Sequence, residues 1–244
     1  MNLYACSRAG KNLGLKAPDS SSHVHYPRLD ISSESSITSL ANEIRSTEKR
    51  VDVLINNAGT NDTGSTGVPA AEVVAVNFRG TQLMCDAFLP LLSSPGGRIV
   101  NVSSVGSSLS NYSPAVRARF RDPKMTPASL DELVHEYLDA NAAGQNELQR
   151  AGFGGANGYA FSKAGINALT AVLARENDKV DVNCCCPGWV ATDMGSIMGQ
   201  PPKTPEEGAR IPVRLAFGDL RGVSGRYWSN PGIGDTGDGR ITEW

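Results

Sequence analysis

The chain has 244 residues, of which 40% are hydrophobic and 20% are charged. These proportions are typical of a globular protein with a sizeable buried core and exclude a disordered chain. With 23 basic and 25 acidic residues, the formal net charge is −2, so no nucleic-acid or membrane-surface partner is expected. The sequence shows no signal peptide and no run of 18 apolar residues, and we expect a cytoplasmic protein.

Strands and helices alternate along the chain. The spacings of three and four between Ile37, Leu40 and Ile44 give one apolar stripe and predict the first helix. Ser32 or Ser33 can cap its beginning. Further helices are predicted near Pro69, at a capping box that opens at Ser129, and from about Asn157 to Glu176. The predicted strands are 2–7, 23–31, 51–55, 98–104, 180–186 and 225–229.

The strands are continuously apolar, which is typical of a parallel sheet covered by helices on both faces. The sequence therefore predicts one doubly wound, Rossmann-like α/β domain over residues 1–244. Residues 105–156 form a long interrupted stretch that we expect to be a helical insertion.

Five cysteines are present, and three of them are consecutive, Cys184 to Cys186. Neighbouring residues on a strand point to opposite faces, so these thiols cannot share one metal or pair easily. We expect reduced, buried cysteines and no metal site.

Ligands of open α/β sheets bind outside the carboxyl ends of the strands. Small and polar residues follow three of the predicted strands: Asn56 to Gly59, Ser103-Ser104, and Pro187 to Val190. The sequence therefore predicts a binding site along this edge.

Tyr159 and Lys163 are four residues apart and share one face of the predicted helix. An ammonium near a phenol lowers the pKa of the phenol, so we expect a lowered pKa for Tyr159. Such a tyrosine can donate a proton to a carbonyl oxygen as a hydride arrives at the carbon.

Taken in order, these motifs resemble the short-chain dehydrogenase/reductase family. The residues that carry the resemblance are Asn56 to Gly59, Asn77, Ser104, Tyr159 with Lys163, and Pro187-Gly188. The spacing of 55 positions from Ser104 to Tyr159 resembles that of the monomeric carbonyl reductases of that family, as do Cys185 to Val190 and Pro205 to Ala209. The resemblance implies a monomer that reduces a small-molecule carbonyl with NADPH.

The resemblance also implies catalytic roles. Tyr159 would be the general acid, and Lys163 would bind the nicotinamide ribose. Ser104 would hold the substrate oxygen, whereas its neighbour Ser103 would face the other way. Asn77 would anchor a water that relays protons to Lys163, or it would serve only to bond a kinked helix backbone.

Further residues are implied to bind NADP(H). Arg8 would accommodate the 2′-phosphate, because a guanidinium suits phosphate and no acid is nearby. The other implied cofactor residues are Asp30 and Ile31 on the adenine side, Asn57 and Gly59, and Pro187, Gly188, Val190 and Thr192 at the nicotinamide.

The family's Gly-rich strand-turn-helix, which cradles the pyrophosphate, has no match here. We therefore expect that this chain lacks the first strand and helix of the fold, folds poorly alone and binds NADPH weakly. A truncated, inactive relative that acts as a binding module is an alternative. A hydrolase using Ser104 is a weaker one, since His23, His25 and His135 lie in segments that the sequence does not place near it.

Overall fold

The computed structural model describes residues 1–62 and 67–244. The strands are β1 Asn2–Tyr4, β2 His23–His25, β3 Val53–Asn56, β4 Gly97–Val102, β5 Val180–Cys185, β6 Tyr227–Ser229 and β7 Arg240–Ile241. The helices are α1 Glu34–Thr47, α2 Ala70–Val74, α3 Gly80–Phe88, α4 Pro114–Phe120, α5 Pro127–Ala143, α6 Gln145–Arg150, α7 Gly158–Glu176, α8 Asp193–Ser196 and α9 Pro205–Phe217.

The larger sheet has the order β3-β4-β5-β6-β7, and its first four strands are parallel. Its central strands are almost fully buried, with Ile99 and Val182 at 0% exposure. This confirms the predicted parallel α/β fold. A second parallel pair, β1 and β2, forms a sheet of its own. Within residues 1–62 and 67–244, each helix is too short or too polar to cross a bilayer.

Local sequence signals set several helix boundaries. Of the two candidate caps of α1, Ser33 is the cap, and its side chain accepts a hydrogen bond from the Ser36 amide. The stripe of Ile37, Leu40 and Ile44 is buried as predicted. Asn157 caps α7 in the same way, with its side chain accepting from the Ala160 amide.

The predicted cap at Ser129 is wrong by three residues. The capping residue of α5 is Thr126, and Ser129 is the third residue of the helix. The Ser129 hydroxyl oxygen accepts a hydrogen bond from the Thr126 amide. Pro127 explains the shift, because proline is favoured at the first helical position.

Residues 105–156 contain α4, α5 and α6, of which α4 and α5 pack against α7 through aromatic rings. Tyr137 stacks on Phe161 with ring centroids 3.8 Å apart, and Phe120 lies 5.9 Å from the same ring. The Tyr137 hydroxyl also donates to the Ala156 carbonyl at 3.1 Å. The insertion therefore supports the helix that carries Tyr159 and Lys163.

A cleft of about 480 Å³ separates β1 from β3, and residues of both strands line it. Side chains of α1 and α3 cover it on one face, and Phe217 of α9 also borders it. In the fold that the resemblance implies, the first strand lies between these two strands, and its absence from the chain stays a prediction.

All five cysteines are free, and Cys184, Cys185 and Cys186 are buried at the carboxyl end of β5. The expected burial of this triplet is thus confirmed.

Candidate active site

The site begins where β4 ends. Ser104 follows β4, and its hydroxyl accepts a hydrogen bond from the Gly106 amide at 3.0 Å. The Ser104 hydroxyl and the Tyr159 ring both border Gly106, where an added Cβ would lie 3.4 Å from the hydroxyl oxygen and 3.5 Å from the ring. Ser103 faces the other way, with its hydroxyl donating to the Lys163 carbonyl at 3.2 Å. The structure therefore brings together the two hydroxyls that the sequence predicts to meet at a substrate oxygen.

Lys163 lies one helical turn after Tyr159. Its ammonium is 5.6 Å from the centroid of the Tyr159 ring and donates to the Val102 carbonyl at 2.8 Å. Burial disfavours the ammonium and lowers the pKa of Lys163 to about 8. Among the described residues Val102 is its hydrogen-bond partner, and an ammonium has three N–H groups, so donors remain for a ligand.

The expected direction of the Tyr159 pKa is wrong. Burial raises the pKa of this phenol above 10, and the hydrogen bond from Ser104 only partly offsets the rise. The Lys163 ammonium points to Val102 instead of the phenol oxygen, which explains why it does not lower the Tyr159 pKa. A tyrosine in this environment stays protonated at neutral pH, as a general acid must.

Asn77 is fully buried in a π-helical turn, Ala75–Arg79, between α2 and α3. Its amide nitrogen donates to the Thr60 carbonyl at 2.9 Å and to the Ser162 hydroxyl at 3.0 Å. Its amide oxygen accepts from the Thr60 amide at 2.8 Å. The side chain thus uses both N–H groups to fasten the loop after β3 to α7, and these bonds do not go to the kinked helix backbone of the structural alternative. The water-anchoring role stays a prediction.

Asp62 is a site residue that the sequence analysis missed. Its carboxylate accepts hydrogen bonds from the Gly158 amide at 2.7 Å and the Tyr159 amide at 3.1 Å. A carboxylate at the start of α7 satisfies free N–H groups and complements the helix dipole. The residue fixes the backbone of Tyr159 from a loop 97 positions away.

The predicted cofactor residues that follow β3 and β5 lie at the same edge of the sheet as Ser104. Asn57 and Gly59 are exposed after β3, and a Cβ on Gly59 would lie 3.7 Å from the Lys163 ammonium. Gly188 follows β5 with φ of +85°, a conformation that favours glycine. Thr192 caps α8 by accepting from the Gly195 amide at 3.1 Å, and Val190 packs on Gly208.

The predicted adenine-side residues meet at the ends of β1 and β2. Ser7 pairs with Arg28, which brings Arg8 within electrostatic reach of Asp30. The Asp30 carboxylate accepts from the Ser32 hydroxyl and amide, and these bonds lower the pKa of Asp30. Ile31 packs against Gly80. An exposed guanidinium therefore borders this end of the site.

Within the described residues, the Ser104 hydroxyl contacts Gly106 and Tyr159 and no histidine. His25 instead stacks on Tyr4 at 4.6 Å, and His135 lies on α5. A serine hydrolase needs a base beside its nucleophile, so the arrangement gives no support to that alternative.

The chain is similar to known proteins over most of its length. Residues 2–116 match the family described as short chain dehydrogenase, and residues 147–219 match enoyl-(acyl carrier protein) reductase. The chain is 34% identical to carbonyl reductase [NADPH] 1 of Bos taurus over 233 residues, 90% of this chain and 79% of that protein. The Homo sapiens protein of that name gives the same identity and coverage.

Two solved structures show the same fold. Salutaridine reductase from Papaver somniferum has a TM-score of 0.73 and 29% identity, covering 84% of this chain and 81% of that one. The NADPH-bound carbonyl reductase from chicken fatty liver has a TM-score of 0.65 and 21% identity, covering 99% and 87%. The chain belongs to the short-chain dehydrogenase family, as its motifs predict.

Proposed function

We propose that this protein is an oxidoreductase that reduces a small-molecule ketone, aldehyde or quinone to an alcohol with NADPH. The observation that carries the proposal is that the Ser104 hydroxyl and the Tyr159 ring lie side by side at Gly106, with the Lys163 ammonium 5.6 Å from the centroid of that ring. The 34% identity to carbonyl reductases named for NADPH supports the choice of reaction and cofactor. No observation favours the alternative of an inactive binding module.

The residues present fit NADPH. The Lys163 ammonium has N–H donors left for ribose hydroxyls, and Gly59 leaves open backbone beside it. Arg8 offers a planar cation to a 2′-phosphate. Asn57, Asp30 and Ile31 would complete the adenine and ribose contacts, and Pro187, Gly188, Val190 and Thr192 would border the nicotinamide.

When bound, the cofactor supplies the hydride. Ser104 would donate a hydrogen bond to the substrate oxygen, stabilising the charge that develops there. Tyr159 would give its proton to that oxygen, and Lys163 would hold the ribose and stabilise the resulting phenolate. The net change adds one hydride and one proton to the C=O group, so atoms and charge balance.

The test is the decrease of NADPH absorbance at 340 nm with a quinone or an isatin as substrate. We expect Tyr159→Phe to lose nearly all activity, because it removes the proton donor and leaves the ring in place. Ser104→Ala should lose activity by about 100-fold, as for loss of one oxyanion donor. Equal rates for wild type and Tyr159→Phe would refute the mechanism.

A further inference from the structure

Lys203 is a buried cation that the proposed reaction does not use. Lys203 is only 1% exposed, and its ammonium donates to the Pro187 carbonyl at 2.7 Å. Among the described residues no carboxylate lies within ion-pair distance of it. The carboxylates of Glu207 and Asp235 act on this ammonium only from beyond ion-pair distance and do not offset its burial. An apolar residue would therefore be more stable here unless the hydrogen bond matters.

The backbone of Lys203 holds the same loop. Its amide donates to the Trp189 carbonyl at 3.3 Å, and its carbonyl accepts from the Ala191 amide at 2.8 Å. Together with the ammonium, one residue therefore fastens Pro187, Trp189 and Ala191, which are alternate positions of the segment that follows β5. The backbone bonds would survive a change of side chain, whereas the bond to Pro187 would not.

The ammonium and the loop fit closely at Gly188. A Cβ on Gly188 would lie 2.9 Å from Cδ and 3.0 Å from Nζ of Lys203, and 2.5 Å from the Ile233 carbonyl oxygen. A glycine is thus required both by φ of +85° and by the lysine packed against it. The lysine lies over the Pro187-Gly188 turn, at the start of the loop that carries Val190 and Thr192.

We propose that Lys203 is a positioning residue, which fixes the Pro187 carbonyl and thereby the loop 187–192 against the nicotinamide half of the cofactor. The inference rests on the proposed function, since Val190 and Thr192 are the nicotinamide-side residues in that proposal. Lys203 acts through the loop and makes no contact with substrate. The adenine half of the cofactor, at Arg8 and Asp30, should not depend on it.

The first experiment measures the loop itself. Hydrogen exchange of the Ala191 and Trp189 amides should accelerate in Lys203→Met, while the amides of β4 and β5 keep their rates. Lys203→Arg, which retains a long cationic donor, should restore much of the protection. Lys179→Met makes the same change at an exposed lysine and should alter nothing. Unchanged exchange in Lys203→Met overturns the inference, whatever the protein does with cofactor.

The second experiment separates the two halves of the cofactor. The dissociation constants of NADPH and of 2′-phospho-ADP-ribose, which lacks nicotinamide, are measured by titration calorimetry. Lys203→Met should raise the dissociation constant of NADPH about tenfold and leave that of 2′-phospho-ADP-ribose unchanged, because only the nicotinamide loop is displaced. An equal loss for both ligands indicates a merely structural role and overturns the inference.

A further variant covers the case in which Lys203→Met fails to fold. Lys203→Gln keeps a polar side chain but is too short to reach the Pro187 carbonyl, and it should lower the NADPH preference over the fragment in the same way. A preference equal to that of wild type in Lys203→Gln overturns the inference. If the wild-type chain binds neither NADPH nor the fragment, the proposed function fails, and with it the inference that Lys203 affects cofactor binding.

Discussion

Lys163 keeps an ammonium in the protein interior, where its pKa falls from 10.5 to about 8. This depression corresponds to about 3 kcal/mol of lost stability at neutral pH, since the unfolded chain keeps the ordinary pKa. Lys163→Met should therefore raise the free energy of unfolding at pH 7, although it removes the proposed ribose-binding group.

The pH dependence of this effect has a definite sign. Below pH 8 the lysine is charged in both states, and the whole penalty is present. Between pH 8 and 10.5 the unfolded state binds more protons, so wild-type stability rises with pH and the gap to Lys163→Met closes. Urea unfolding of both proteins at pH 7, 8, 9 and 10 measures the gap. A gap that is constant across this range contradicts the prediction.

Asp62 makes a second prediction at this scale. Asp62→Ala removes the acceptor of the Gly158 and Tyr159 amides, so we expect a loss of about 1–2 kcal/mol in the free energy of unfolding. The activity, measured as kcat/KM, should fall as well, because the Tyr159 backbone is no longer held.

Asp178→Ala is the matched control for Asp62→Ala. Asp178 is an exposed acid beyond the other end of α7, so its removal should cost neither stability nor activity. If Asp62→Ala has the same free energy of unfolding and the same kcat/KM as this control, the hydrogen bonds from the α7 amides to Asp62 contribute to neither, and the prediction is wrong.

The sequence predicts Tyr159 and Lys163 from a spacing of four and a serine at a strand end, and the family resemblance selects Ser104 there. Asp62 carries no such pattern: it is one acid in a polar loop, and its partners lie 96 and 97 positions away. The pKa of Tyr159 likewise depends on burial, which a spacing of four residues does not reveal.

Among the helices, α9 shows what a pattern search overlooks. Thr204 and Glu207 form a capping box with Pro205 at the first helical position, a signal present in the sequence. Gly208 and Pro212 interrupt the pattern of a stable helix, so no helix was predicted there. The tertiary structure compensates, because Gly208 admits Val190 and the buried Ile211 and Leu215 join the core.

The helices of residues 105–156 lead to a prediction about assembly. α5 and α4 cover the outer face of α7 through Tyr137 and Phe120, so that face is not free to pair with a second subunit. We propose that the protein is a monomer. Size-exclusion chromatography with light scattering should give one chain per particle at micromolar concentration, and a stable tetramer would refute this.

The two sheets of the molecule face each other across the cleft with open edges. The Ala5 amide donates to the His25 carbonyl, and the Met1 carbonyl accepts from the His23 amide. Because backbone groups alternate in direction along a strand, the backbone N–H and C=O groups of Asn2 and Tyr4 point away from β2, into the cleft. The Arg98 amide donates to the Asp52 carbonyl. By the same alternation, the backbone N–H and C=O groups of Val53 and Ile55 point into the cleft. Among the described residues no strand pairing joins the two sheets across the cleft, and the packing of α1 against α3 connects them instead.

This arrangement predicts that the chain does not melt as one unit. Unpaired backbone groups beside apolar walls are unfavourable, so the β1–β2 pair should open before the larger sheet, whose ladder is complete from β3 to β7. Hydrogen exchange should be fast at Asn2–Tyr4 and His23–His25 and slow in β4 and β5. NADPH should bind weakly and raise the melting temperature little, because Arg8 and Asp30 belong to the less stable half. A single cooperative transition that shifts upward with NADPH would show instead that side-chain packing across the cleft suffices to couple the two sheets.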